Sequence, residues 1–352
     1  MASFSFDNVV LRSIAAAVPA QRESNLDFDL VPEAERAFLI KTTGVREKRK
    51  SPGGQTCSDL CLHAANALFD AGHVQRDEIG LLIFVSQSSD YYLPATAAGL
   101  QHRLGLPHST LAFDVGLGCS GYIYGLTIAA SLMRTCGIGK ALLLAGDTSS
   151  TTCSPEDKST YPLFGDAGTA TLLESTQTAV PWIGNLFTDG SGAEAIMISH
   201  GMSRNPPDEH SFKRQEIAPG IRRAPLHLSL KGEEIFAFSI KQVPASIKAL
   251  LADFDQGIDS LDHFIMHQAN RLMNETIRKK LKIPENKTPY SLDEFGNTSS
   301  ASIPLTMVTR LAEQLRHPAR LLLSGFGVGL SWGNLVMESQ SVHCLPLIEV
   351  DQ

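Results

Sequence analysis

The sequence predicts an α/β protein made of two copies of one βαβαβ unit, and three observations carry that prediction. Short apolar runs of strand length alternate with helical segments, the pattern of a helix-covered, mostly parallel sheet. The landmarks of the first half recur in the second in the same order. Leu104-Gly-Leu-Pro107 returns as Leu281-Lys-Ile-Pro284, Leu117-Gly-Cys-Ser120 as Phe295-Gly-Asn-Thr298, and Ala141-Leu-Leu-Leu-Ala-Gly146 as Arg320-Leu-Leu-Leu-Ser-Gly325, at offsets of 177–179 residues. Upstream, Ile83-Phe-Val-Ser-Gln87 pairs with Phe264-Ile-Met-His-Gln268 at an offset of 181, the extra residues falling near Tyr91–Pro94. Finally, 352 residues with 43% hydrophobic and 19% charged can bury a large core in both halves. The halves are expected at residues 1–178 and 179–352.

The elements follow in order. Residues 7–18 read as an opening strand and turn, Glu33 to Lys41 as a helix, and Thr42 to Arg49 as a charged loop. A helix from Ser58 to Ala71, a buried strand from Ile79 to Ser86 and a helix from Pro94 to Leu104 come next. Asp114-Val-Gly-Leu-Gly-Cys-Ser-Gly-Tyr122 reads as a strand end, a glycine turn and a helix opening at or next to Cys119. Ile123, Leu126, Ile128, Ala129, Ala130, Leu132 and Met133 make that helix apolar on nearly every face, hence buried. Lys140 to Gly146 is the next apolar strand, and Gly190-Ser-Gly192 a turn. Residues 199–228 carry Arg204, Pro206, Pro207, Lys213, Arg214, Arg222 and Arg223, a long excursion that suits a lid or binding loop.

Composition excludes several classes. A net charge of −7 argues against nucleic acid as the general partner. No apolar run approaches the 18 residues of a membrane span, and the N-terminus lacks the basic and apolar regions of a secretory signal. The six cysteines (57, 61, 119, 136, 153 and 344) show no CxxC and no Cys/His ligand spacing. Cys57 and Cys61, one helical turn apart, would be half a metal site with no second half. No metal is expected, and the thiols read as reduced in a cytoplasmic protein.

Cys119 differs from the other five by position. At the N-terminal end of a buried helix, unpaired N–H groups and the helix dipole favour negative charge, which lowers a thiol pKa and makes a nucleophile. The plainer reading is a small cysteine that packs. The repeat places Cys119, Asn297 and His267 at matching or adjacent strand ends, where open α/β sheets bind ligands. Alone, His267 would be an ordinary strand-end histidine and Asn297 a helix cap.

Four motifs in order carry a resemblance: Asp114-Val-Gly-Leu-Gly-Cys119-Ser-Gly, His267-Gln-Ala-Asn270, Phe295-Gly-Asn297-Thr-Ser-Ser-Ala-Ser-Ile-Pro304 and Gly325-Phe-Gly-Val-Gly-Leu-Ser-Trp-Gly333. With Phe164-Gly-Asp-Ala-Gly168 and Thr43-Gly-Val-Arg-Glu47, the chain resembles the ketoacyl-acyl-carrier-protein synthase III group of thiolase-fold condensing enzymes almost end to end. The resemblance implies a layered α/β/α/β/α core, a homodimer, no permanently bound cofactor, and thioesters of CoA or of acyl-carrier-protein phosphopantetheine as substrates. Cys119 would accept an acyl group, with the N–H groups of Cys119 and Val328 as the oxyanion hole. His267 and Asn297 would then donate hydrogen bonds to a malonyl-type thioester during decarboxylative Claisen condensation.

Around that centre the resemblance places Phe38 at an adenine-stacking position and Thr42 at a CoA-phosphate position. It puts Leu272, next to Arg271, at a carrier-docking position. Leu93 lies where the family reaches across a dimer interface into the acyl pocket, and Phe164 and Asn270 belong to pocket motifs. Arg271, Arg278, Lys279 and Lys282 form a basic face suited to an acidic carrier. Two other readings fit the same resemblance: a thiolase-fold acyltransferase serving an O, N or S nucleophile, and an inactive partner subunit. The complete Cys/His/Asn set speaks against the inactive subunit, and Asn297 in place of a carboxylate favours condensation over simple transfer.

Overall fold

The structure is a computed structural model that describes residues 3–178 and 180–351. Ala179, the first residue of the expected second half, lies outside the described residues.

The first half runs β1 (Ser3–Phe6), β2 (Val9–Pro19), β3 (Arg22–Ser24), α1 (Glu33–Thr43), β4 (Glu47–Arg49), α2 (Cys57–Asp70), β5 (Ile79–Val85), α3 (Thr96–Arg103), β6 (Leu111–Val115), α4 (Gly121–Cys136), β7 (Lys140–Thr148) and β8 (Asp166–Ser175). The second begins with β9 (Trp182–Thr188), then the excursion strands β10 (Ile196–Met197), β11 (Gln215–Ala218), β12 (Ile221–Arg223) and β13 (Ser229–Leu230). It continues through α5 (Gly232–Asp253), β14 (His263–Met266), α6 (Arg271–Leu281), α7 (Leu292–Phe295), α8 (Ser302–Arg310), β15 (Ala319–Gly327), β16 (Ser331–Ser339), β17 (His343–Cys344) and β18 (Ile348–Val350).

Two large sheets result, ordered β17-β2-β8-β7-β5-β6 and β1-β9-β16-β15-β14, with β18 also pairing β2. The chain ends are exchanged: β1 completes the second sheet, while β17 and β18 complete the first. The mostly parallel sheet expected from the alternation is corrected to a mixed one. β5 runs parallel to β6 and β7, but β8 is antiparallel to both β7 and β2, and β16 is antiparallel to β15 and β9. Strands joined by a short turn, such as β15 and β16, have no crossover helix and must run antiparallel.

Five layers stack as α/β/α/β/α. Helices α4 and α8 lie between the sheets, where Ile123, Leu126 and Leu305 join Leu81, Ile83, Leu321 and Leu323 in one core. Helix α2 covers the outer face of the first sheet and α5 with α6 that of the second. Each fully buried Leu or Ile contributes about 1.5–3 kcal/mol. Among the described residues α5 is long and apolar enough to cross a membrane by length and composition; here Val243, Ile247 and Leu250 pack it on the second sheet. Helix α2 starts where the sequence provides a capping box, Thr56 accepting from the Asp59 N–H and Asp59 from that of Thr56.

The charged loop expected at 42–49 is also corrected. Its last residues form β4, paired with β3, and Lys48 and Arg49 are each only 1% exposed. The Lys48 ammonium sits 3.7 Å from the Tyr161 ring centroid, and Arg49 pairs with Glu349 at 2.7 Å. Long aliphatic stems allow such residues to be buried when the head finds partners.

Candidate active site

Cys119 lies in the turn between β6 and α4. Gly121 opens the helix, its N–H bonded to the Gly118 carbonyl at 2.7 Å, so Cys119 sits two residues before the first helical residue. The second half closes on it from above. A Cβ placed on Gly327 would lie 2.6 Å from the Cys119 Cβ and 2.8 Å from its Sγ, so only glycine permits this approach. The following turn is held across the two halves: Ser331 Oγ donates to the Val328 carbonyl at 2.8 Å and accepts from Ser120 Oγ at 2.6 Å. The turn thereby places Val328 on the cavity that Cys119 lines.

The thiol does not behave as its helix position alone suggests. Cys119 keeps some surface on the cavity side, but the protein around the sulfur is dense. Burial pushes its pKa up to about 11, opposed by the Val328 N–H and the Ser299 hydroxyl and reinforced by the Asp147 charge. The expected lowered pKa is therefore corrected: at neutral pH the resting group is a thiol.

His267 follows the end of β14, with its N–H bonded to the Ser324 carbonyl at 2.8 Å. Its Nδ1 shares a 2.8 Å hydrogen bond with Ser302 Oγ of α8, and the ring meets Phe326 edge-on at 5.6 Å. Burial drives its pKa down to about 3, so the imidazole is neutral at any working pH. Asn297 is bracketed by the Phe164 loop, its N–H donating to the Leu163 carbonyl at 2.8 Å and its carbonyl accepting from Gly165 at 3.1 Å. It caps no helix; its Oδ1 accepts the Ser299 N–H at 2.9 Å, which leaves the Nδ2 hydrogens for another acceptor.

One cavity of about 140 Å³ gathers these groups. Cys119, His267, Asn297, Val328, Phe164 and Asn270 all line it, with Asp147, Ser299, Phe326 and Gly327, while Leu163, Ile198, Leu228, Leu230, Ile235 and Met273 supply apolar wall. Asn270 also caps α6, accepting from Met273 N at 2.9 Å. The peripheral residues are not brought to the cavity. Phe38 is 72% exposed on α1 and Leu93 80% exposed before α3. Arg271 pairs with Glu285 at 2.8 Å and stacks 4.0 Å from the Tyr290 ring, so it is already engaged. Arg278 is fastened to both Glu275 oxygens and to the Ile283 carbonyl, which corrects its place on a free basic face. Lys279 stays exposed.

The 199–228 excursion is a pinned wall. β10 and β13 pair at its base, Ile196 opposite Leu230. The β11–β12 hairpin is clamped to the loop after β7: Arg214 and Arg222 reach Glu156, and Arg223 pairs at 3.0 Å with the fully buried Asp157. Its inner residues Ile198 and Leu228 face the cavity.

Asp147, Ser299 and Ser302 escaped the sequence reading. A charge directly after the apolar run Ala141–Gly146, at a strand end in the first half, was the available signal for Asp147. Ser299 and Ser302 carried none beyond lying in the Asn297 motif. Among the described residues no group of three His, Cys, Asp or Glu side chains could hold a metal ion.

Residues 113–190 match the family model described as 3-oxoacyl-[acyl-carrier-protein (ACP)] synthase III, and residues 251–339 match the model of its C-terminal part. The beta-ketoacyl-[acyl-carrier-protein] synthase III of Streptococcus uberis is 31% identical over 324 residues, 91% of this chain and 96% of that protein. The Rhodopirellula baltica protein of the same name is 33% identical over 316 residues, 84% and 88% of the two chains. A crystal structure of 3-oxoacyl-(acyl-carrier protein) synthase from Burkholderia xenovorans LB400 superposes with a TM-score of 0.92 at 34% identity, covering 99% of each chain. A 2.1 Å structure of 3-oxoacyl-(acyl-carrier-protein) synthase III gives 0.89 at 38% identity, covering 94% of this chain and 99% of that one. With the duplicated thiolase-like fold and near full-length similarity together, the chain belongs to the 3-oxoacyl-acyl-carrier-protein synthase III family of acyl-thioester condensing enzymes.

Proposed function

We propose that Cys119 is the acyl acceptor and that His267 and Asn297 drive the decarboxylative half of the condensation. The Cys119 thiol adds to an acyl thioester, the N–H groups of Cys119 and Val328 receive the oxyanion, and its collapse breaks the old C–S bond, the carrier leaving as a thiol with the Cys119 proton. The acyl chain lies along Leu163, Ile198 and Leu228, which favours a hydrocarbon primer. A malonyl-type thioester follows. In the tautomer whose Nδ1 accepts from Ser302, the neutral His267 ring carries its proton on Nε2, and this N–H joins Asn297 Nδ2 at the thioester carbonyl. Loss of CO2 then leaves an enolate held by two neutral donors; its carbon bonds to the acyl carbon, and the C–S bond to Cys119 breaks to return the free cysteine. Neutral donors suit the step because they stabilise developing charge without trapping the carboxylate of the malonyl-type ground state.

The observation that carries this reading is the orientation of Asn297. Its oxygen is tied to the Ser299 N–H, so the amide offers the cavity hydrogens only and cannot act as a base. The test pairs two readouts on one protein, acyl mass on Cys119 and labelled CO2 release. Asn297→Ala is expected to acquire the acyl group yet release CO2 about 10²–10³-fold more slowly. Normal CO2 release in that variant, or turnover of the unaltered enzyme without a malonyl-type donor, would replace condensation by simple acyl transfer.

The carrier is an acyl carrier protein or CoA, and the exposed Lys279 and Lys282 at the end of α6 are left to meet it in place of the engaged arginines. A cytoplasmic homodimer completes the reading: Tyr91, Tyr92 and Leu93 form an exposed apolar run beside the cavity loop, placed for a second copy to cover. Sedimentation of Leu93→Glu as a dimer, with unchanged primer preference, would remove Leu93 from that role.

A further inference from the structure

We propose that Arg223 is a positioning residue that sets the length of primer Cys119 accepts, an inference that rests on Cys119 being the acyl acceptor and on the acyl chain lying along Leu228. The wall it positions is the ribbon of β10 and β13, in which Ile196 stands opposite Leu230 and Met197 opposite Ser229. Side chains alternate across a strand, so neighbours along each strand point to opposite sides. Ile196, Ile198, Leu228 and Leu230 all line the cavity that holds Cys119. Met197 and Ser229 instead line a second cavity of about 320 Å³, together with Arg223, Ser199 and Lys231. The ribbon is therefore a thin partition, apolar toward the reacting thiol and largely polar behind.

A partition with two paired residues per strand does not hold its own place, since even an isolated hairpin is marginal in water. Its position comes from its ties. At one edge the Leu228 N–H donates to the Thr152 carbonyl at 2.9 Å. From behind, the Arg223 fork bridges two groups: Nη1 donates to Asp157 Oδ2 at 3.0 Å and Nη2 to Ser229 Oγ at 3.1 Å. Ser229 stands between Leu228 and Leu230, so the hydroxyl that Arg223 grips is the handle of the two wall residues beside it.

The far end of the fork is fixed. Asp157 is fully buried, its Oδ1 accepts from the Ser159 N–H at 2.8 Å, and its backbone bridges Ile221 of β12. The Arg222 and Lys158 N–H groups close the same seam on the Glu156 and Gly220 carbonyls, at 2.9 Å and 3.0 Å. The buried carboxylate holds the guanidinium, because leaving it unpaired is costly. A planar fork then fixes the distance to Ser229, which the single charge of a lysine does not.

Arg223 acts through Ser229 and touches no substrate. With Ser229 released, the ribbon pivots about the tie between Leu228 and Thr152 into the space behind it. The catalytic cavity, only about 140 Å³, then deepens. One methylene in a hydrophobic pocket is worth about 10–200-fold in discrimination, so a small retreat of the wall moves the length preference.

The experiment loads the full-length enzyme with straight-chain acyl-CoAs from acetyl to dodecanoyl, with rates read by intact mass and the acylated residue by peptide mass. The readout is a ratio, the rate for a primer two carbons beyond the optimum over the rate at the optimum. A merely structural role lowers all rates together and leaves that ratio unmoved. In Ser229→Ala, which keeps the Asp157 pair intact, the ratio should rise about tenfold. Ser229→Thr restores a hydroxyl and should return it to the unaltered value. Arg223→Lys keeps a charge for Asp157 without the fork; it should raise the ratio alone and add nothing to Ser229→Ala. Leu228→Ala, which shortens the wall itself, should raise it too, and Arg222→Ala, on the exposed pair with Glu156, should not. An unmoved or lowered ratio in Ser229→Ala or in Arg223→Lys, or an equal rise in Arg222→Ala, would overturn the positioning role alone. An unmoved ratio in Leu228→Ala would take the acyl chain off this wall, and acyl mass on a residue other than Cys119 would remove the nucleophile; either takes the positioning role with it.

Discussion

Replacing Gly327 with alanine tests the closure of the second half over Cys119 with a single methyl group. The added Cβ would stand 2.6 Å from the Cys119 Cβ and 2.8 Å from Sγ. Carbon atoms rest at about 3.5 Å or more, so the Gly327–Gly329 turn must retreat by about 1 Å. The neighbouring Cys119 loop cannot yield instead, because a Cβ-free Gly325 already packs it on Ser120 and Ile123. A retreat of that size takes the Val328 N–H out of hydrogen-bond range of the oxyanion position. Loss of one such donor costs about 10²–10³-fold in rate, and overpacking costs about 1–3 kcal/mol of stability. Two other glycines calibrate the effect. A Cβ on Gly116 meets nothing within 4 Å, whereas one on Gly118 meets Ser299 Oγ at 3.0 Å and the movable end of Gln87. Single-turnover acylation, read by intact mass after rapid mixing with an acyl-CoA, should therefore fall in the order Gly116→Ala, Gly118→Ala, Gly327→Ala, the first unchanged. Acylation of Gly327→Ala within threefold of the unaltered enzyme at the same Tm would refute the close approach.

Three further outcomes follow from the geometry. His267 titrates near 3 folded, against about 6.5 unfolded, so its contribution is present above pH 6.5 and is lost as pH falls toward 3. Urea unfolding between pH 7 and 5 should show a slope of up to about 1.4 kcal/mol per pH unit that His267→Gln removes. Arg223→Ala strands the buried Asp157 and should cost up to about 3 kcal/mol in thermal unfolding, whereas Arg222→Ala, which breaks an exposed pair with Glu156, should leave Tm where it was. Lys279→Glu should raise the KM for a carrier-protein substrate and flatten its dependence on salt. Arg278→Glu, by contrast, should lower Tm through loss of its bonds to Glu275 and Ile283.

The duplicated architecture was legible because apolar periodicity and punctuation are local signals, and two copies of each landmark reinforce one another. Helix α2 and strands β5 and β7 fall within a residue or two of their expected bounds. What the chain order hid is non-local. Nothing near Ser3–Phe6 says that it pairs with Trp182–Asn185, or that Ile348–Val350 returns to Ala17–Pro19. The same blindness turned Lys48 and Arg49 into a loop, since their partners Tyr161 and Glu349 lie far along the chain. On the surface it left Arg271 and Arg278 as free charges, although the second was already committed to Glu275 one turn away on its own helix.

At the centre, the repeat was enough to place Cys119, His267 and Asn297 together, but not to say what state each would be in. A helix terminus stabilises a neighbouring anion by about 0.3–1 kcal/mol, less than one pKa unit, and only within its first turn. Burial can move a pKa by 3–5 units in the opposite direction. Motif position announces the first effect and hides the second, so the thiolate inferred from position becomes a thiol once the depth of the sulfur is known. The direction of the Asn297 amide has the same origin. It is set by the Ser299 N–H, and that N–H points at Oδ1 because Ser299 adopts a positive φ no residue pattern predicts.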